Sequence, residues 1–192
     1  MSKWVFHIVT WLALAFTAPA PALADPISLD TWYEFSFTDP GVPAVGCDPA
    51  DPAGGFCLSS SGTPTSPVGA PPWTLTGSAV LTVTDAFGSG DRFEVFDFGA
   101  SLGLTSLPGV GGDCGDDPVP CLVDPLISQG SFLLGAGSHE VTIIPVDSPV
   151  GGGAGYLSAS AVVPEPGSGL LFGGSLAILA LLYMRRARTT RS

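Results

Sequence analysis

Alternation with a period of two dominates the chain between residues 25 and 162. It is clearest over Trp73–Thr84, where Trp73, Leu75, Ala79, Leu81 and Val83 fall on one face and Thr74, Thr76, Ser78, Thr82 and Thr84 on the other. Successive side chains of a strand point to opposite faces, so this spacing predicts one strand with a buried and a solvated side. Tyr33–Phe37, His139–Val146 and Leu157–Val163 alternate in the same way. Arg92–Phe96 and Leu102–Ser106 flank Asp97-Phe98-Gly99-Ala100, a turn-rich link that predicts a hairpin. Ser131–Leu134 reads as a short strand before Gly135-Ala136-Gly137. No stretch of this region joins a 3.6-residue period to helix caps. Six to eight short strands predict an all-β fold, a single antiparallel β-sandwich or jelly-roll-like domain, with a strand order the pattern does not fix. Two linkers interrupt it: Thr38–Pro72, 35 residues with eight Pro and six Gly, and Leu107–Ser128. Both are expected at the ends of the sandwich.

The pattern changes at both termini. Residues 1–24 carry one charge, Lys3, then an apolar stretch from Trp4 to Phe16 and the small residues Ala22-Leu23-Ala24. That is the layout of a secretory signal peptide cut between Ala24 and Asp25. It lacks a twin arginine, so the general secretory (Sec) machinery is the expected export route. Near the other end, Gly167–Met184 is 18 residues without a charge. As a helix it extends about 27 Å, close to the hydrocarbon thickness of a bilayer. Arg185, Arg186, Arg188 and Arg191 follow directly and predict a cytoplasmic end, which places the preceding chain outside.

Just before that span stands Pro164-Glu165-Pro166. The order of box, single span and arginine cluster over residues 163–192 resembles the PEP-CTERM sorting signal of Gram-negative bacteria. The resemblance implies recognition by an exosortase, a membrane protease-transpeptidase that cuts near the box. It also implies delivery to the cell surface or to an exopolysaccharide matrix, from a precursor anchored in the inner membrane. Gly90–Asp97 and Gly130–Gly137 are similar to stretches of other PEP-CTERM passengers, a likeness that carries no activity with it. The expected organisation is therefore a signal peptide (1–24), an exported domain (25–162) and a sorting tail (163–192).

Charge sharpens the picture of the exported part. Residues 25–162 hold sixteen of the seventeen acidic residues but, of the six Lys and Arg, only Arg92, which leaves a formal charge of −15 with His139 neutral. Such a surface repels nucleic acid and anionic headgroups and favours cationic partners or divalent ions. Cys47, Cys57, Cys114 and Cys121 all lie in this part, an even number in an oxidising compartment. Of three possible pairings, Cys47–Cys57 and Cys114–Cys121 keep each bridge within one loop. Zinc is the rival use, but neither spacing is CxxC and His139 lies elsewhere.

Several residues invite chemistry. Asp113, Asp116, Asp117 and Asp124 crowd one loop and are candidate calcium ligands, although turn aspartates that bond their own backbone fit the same pattern. Asp48 with Asp51, and Asp85, Asp91 and Asp97 at a sandwich edge, are further acidic groups, with Arg92 a structural partner for the latter. Gly99-Ala100-Ser101-Leu102-Gly103 matches the GxSxG nucleophile elbow, with His139 downstream. The surroundings predict strand-turn-strand rather than the strand-turn-helix that a hydrolase needs, so Ser101 reads as a turn residue. Trp32, Tyr33, Trp73 and Tyr156 are candidates for stacking on sugar rings. The reading that follows is a non-catalytic surface or matrix protein, with no required cofactor. A calcium-assisted carbohydrate-binding module is the first alternative and a secreted serine hydrolase the second.

Overall fold

The computed structural model describes residues 24–162. The expected signal segment before Ala24, the Pro164-Glu165-Pro166 box, the apolar run and the arginines Arg185, Arg186, Arg188 and Arg191 lie outside the described residues. Among those described, no helix is long and apolar enough to cross a membrane.

The described residues are mostly β and build two five-stranded sheets that face each other as a sandwich, in keeping with the expected all-β class. In the first sheet the order is β1 (Asp25–Pro26), β4 (Trp73–Thr76), β9 (Ser138–Asp147), β6 (Arg92–Asp97) and β7 (Ala100–Leu104). In the second it is β3 (Thr65–Pro67), β2 (Trp32–Phe37), β10 (Gly153–Ala161), β5 (Ala79–Asp85) and β8 (Gln129–Leu134). Ten strands therefore replace the expected six to eight. The sheets are mixed rather than purely antiparallel, because β1 pairs with β4 and β3 with β2 in parallel. Both exceptions are short edge strands paired with strands distant in sequence, and parallel pairing requires a long connection.

Period-two spacing correctly marks the buried face over Trp73–Thr84 but misplaces the strand. The segment is two strands in different sheets, broken at Gly77, whose φ of +100° suits a residue without Cβ. Trp73, Leu75, Ala79, Leu81 and Val83 are all buried in one core. The inward parity survives the corner because both sheets turn their inner faces to the same interior. Phe35, Phe37 and Phe93 fill that interior with edge-on ring contacts, centroids 5.1–5.6 Å apart between Phe93 and the other two. The ring of Phe35 lies where a side chain at residue 155 would stand, 2.4 Å from an ideal Cβ, so Gly155 is required there.

The hairpin at Asp97–Ala100 forms as expected, joining β6 to β7. Neither linker is confined to the end of the sandwich. In Thr38–Pro72, the amides of Gly41 and Ala44 bond β9 at Pro145 and Ile143, while Val45 exchanges hydrogen bonds with Ser36 of β2. This linker therefore ties the two sheets together, contributes β3, and buries Ala44 and Val68 in the core. Leu107–Ser128 holds a helix that periodicity missed, α1 (Pro118–Val123), only six residues long. Cys121 and Ile127 of this linker pack with Tyr156 and Ala86 in a second apolar cluster.

Candidate functional site

Tyr156 alternates with the inward-facing Gly155 and Leu157, so it stands on the outer face of the second sheet, where Glu34 and Thr84 are its cross-strand neighbours. The linkers cover this face, and Glu34, Ser36, Thr84 and Tyr156 are all buried. Each buried polar group there is matched. The Thr65 hydroxyl donates to the Glu34 carboxylate. The Ser36 hydroxyl donates to the Gly46 carbonyl (3.1 Å) and Tyr156 Oη to the Asp116 carbonyl (2.7 Å). Burial, then the negative charges of Glu34, Asp116 and Asp117, pushes the Tyr156 phenol well above its usual range.

The acidic quartet is dispersed among structural roles. Asp117 Oδ1 accepts from the Val119 amide (3.0 Å) as the N-cap of α1, and its Oδ2 accepts from the Thr63 amide (3.1 Å). Asp116 Oδ1 accepts from the Ser61 hydroxyl (2.6 Å). Asp113 and Asp124 receive the amides of Gly115 (3.0 Å) and Leu126 (2.8 Å), each two residues on. No three of the four share one coordination sphere. Asp51 likewise organises its own loop, accepting from the amides of Gly46 and Ala53, both at 3.0 Å.

The cysteines pair as their spacing predicts, Cys47 with Cys57 and Cys114 with Cys121, with Cα separations of 5.5 and 4.9 Å. Two such bridges suit an oxidising, extracytoplasmic compartment. Among the described residues the one cluster with metal-competent spacing is Glu34, Cys47 and Cys57, and both of its sulfurs are held in the disulfide. A cysteine ligates zinc only as a thiolate, so this trio keeps a single carboxylate to offer.

Ser101 and His139 are not brought together. Ser101 is the second residue of β7 rather than part of the turn, and its hydroxyl donates to Glu94 (2.6 Å). It faces Phe96, which faces Thr142, so two strand spacings and three residues separate it from His139. That distance is about 14 Å. His139 instead places Nδ1 2.7 Å from Asp97 Oδ2 and Nε2 3.0 Å from the Gly135 carbonyl. Burial alone would lower its pKa, but the Asp97 hydrogen bond, the Gly135 carbonyl and the Asp97 charge outweigh it and raise the imidazole above its usual value. Both neighbours are acceptors, which favours the doubly protonated ring. His139–Asp97 is the only ion pair among the described residues. Arg92 pairs with no carboxylate there, and its Nε donates to the Thr105 carbonyl (3.0 Å). Trp73 and Tyr156 are fully buried, and Trp32 and Tyr33 are half-buried against the two apolar clusters, so the four rings present no common platform.

One arrangement is not explained by folding alone. The turn of residues 86–91 between β5 and β6 and the turn after β9 wall a cavity of about 300 Å³. Asp91 lines it at 6 % exposure, and Asp85 beside it is fully buried. Asp85 Oδ1 accepts from the Ala86 amide (2.9 Å), and its Oδ2 accepts from the Asp91 amide at a long 3.3 Å. Asp91 Oδ1 is the one buried side-chain oxygen or nitrogen among the described residues without a hydrogen-bond partner. Burial, then the Asp91 charge, pushes Asp85 up to about 8. Burial also raises Asp91, with a hydrogen bond from the Ser148 side chain opposing. The sequence groups Asp85 and Asp91 only as edge residues; that they are buried together follows from the β5–β6 turn, which no local pattern reveals.

No known family, curated protein or solved structure matches this chain.

Proposed function

We propose that this chain is a non-catalytic protein exported across the inner membrane and sorted by a PEP-CTERM tail to the cell surface or an exopolysaccharide matrix. The observation that carries this reading is the tail itself: Pro164-Glu165-Pro166, an uncharged 18-residue run, and four arginines, in that order. Two disulfides and an excess of carboxylates support a life outside the cytoplasm. The fold supports a scaffold role. With the edge strands β1 and β3 set aside, the sheets run β4-β9-β6-β7 and β2-β10-β5-β8, an order that supports the jelly-roll reading. The partners of this reading are the Sec export machinery, an exosortase and the polysaccharide matrix.

Intact-mass measurement of material shed from the cell surface tests the routing. Protein that begins at Asp25 and ends near Pro166 is the expected result; surface protein that retains residues 170–192 contradicts it. Replacing Pro164 and Glu165 together by alanine is expected to leave the precursor in the inner-membrane fraction.

A further inference from the structure

The β5–β6 turn sets a buried carboxylate with one unpartnered oxygen at the wall of the cavity. Asp91 Oδ1 makes no hydrogen bond although its residue is more than nine-tenths buried. A desolvated carboxylate oxygen without a donor is unfavourable by itself, and a second carboxylate alongside adds repulsion. No cationic side chain relieves the pair: Arg92, the only Lys or Arg among the described residues, is turned to the Thr105 carbonyl. Neither water-exposed surface nor a protein donor satisfies this oxygen, so its natural complement is a positively charged ligand small enough for the cavity.

The wall selects the kind of ligand. The groups in it able to ligate a metal are oxygens, from Asp91, Ser89 and backbone carbonyls, and it contains neither imidazole nor thiol. Gly88, Gly90, Gly152 and Gly153 leave that backbone unshielded by side chains. Oxygen-only donors favour a hard cation over zinc or copper. Ligands drawn from two loops, without fixed octahedral geometry, suit Ca²⁺ better than Mg²⁺. We propose that this cavity is a Ca²⁺ site, with the Asp91 carboxylate as its anionic ligand, the buried Asp85 carboxylate behind it adding negative charge, and loop oxygens and water completing the shell. The site is distinct from the Asp113–Asp124 loop, where each carboxylate already serves a cap, a turn or a linker contact.

Full-length protein in detergent, stripped with chelator, provides the test. Adding 5 mM CaCl2 is expected to raise the unfolding temperature by about 4 °C, with a smaller effect of MgCl2 at equal ionic strength. Asp91→Asn should abolish the rise and Asp85→Asn should reduce it, whereas Asp116→Asn should retain it. Hydrogen exchange on the wild-type chain keeps the test decisive if a variant does not fold: Ca²⁺ should slow exchange at residues 86–91 and 148–153. No Ca²⁺-dependent rise in the wild type, a rise that persists in Asp91→Asn, or exchange unchanged in both turns would overturn the assignment. In the first of these cases a proton shared by the two carboxyls takes the place of the ion.

Discussion

At the scale of single residues, the chain uses its polar groups mostly to hold loops in place. His139 is the instructive case. A lone histidine next to a glutamate suggests chemistry, but strand alternation buries the imidazole and leaves Glu140 exposed. Asp97, its actual partner, is 42 residues away and meets it through strand register. No spacing rule makes that pair legible. Because the folded pKa of His139 lies above its usual 6.5, the pair stabilises fully below pH 6.5, and this contribution is lost as pH rises through the raised value. In chelator, the wild type should therefore melt at a higher temperature at pH 6 than at pH 8, and part of that difference should vanish in His139→Gln. Identical pH profiles for the two proteins would show that the pair contributes nothing. Ser101 shows the converse failure: the GxSxG string is literal, yet its serine sits in the second strand of a hairpin and bonds Glu94.

At the scale of elements, period two located the inward faces and the hairpin at Asp97–Ala100, but it did not reveal where a strand leaves one sheet for the other. Trp73–Thr84 keeps its alternation through Gly77 because a sandwich corner preserves the inward parity, so a broken strand and a continuous one look alike. The glycine is the only local hint. Gly77→Ala is expected to cost about 1–2 kcal/mol, since φ near +100° strains any residue with a Cβ. Urea denaturation would measure it, and an unchanged midpoint would show that the corner relaxes without penalty. Helix α1 escaped notice for a different reason: six residues are too few to show a helical period. Its start was nonetheless written in Asp117-Pro118, a capping aspartate followed by a proline that fits the first helical turn.

At the scale of the whole molecule, the disulfide pairing was readable because each bridge lies within one short loop, whereas the work of the linkers was not. Proline- and glycine-rich composition pointed only to loops at the ends of the sandwich. Instead, Thr38–Pro72 braces both sheets, Leu107–Ser128 roofs the second, and the two meet through Ser61–Asp116 and Thr63–Asp117. The loops closed by the bridges span 10 and 7 residues, so opening either one should cost about 2.5–3 kcal/mol. Because the linkers brace each other, replacing all four cysteines by serine should cost less than the sum of the two pairwise replacements. Additivity within about 0.5 kcal/mol would mean that the linkers act independently. Strand β10 links the two ends of the molecule. It starts beside the cavity lined by Asp91, where Gly155 pairs with Asp85, and ends at Ala161, two residues past the bridge between Ala159 and Leu29. The C-terminal end of the folded region thus lies about 25 Å along the strand from the cavity. On the proposed routing, with the C-terminal side held at a surface, the cavity would lie at the far end of β10, towards the neighbours the protein would meet.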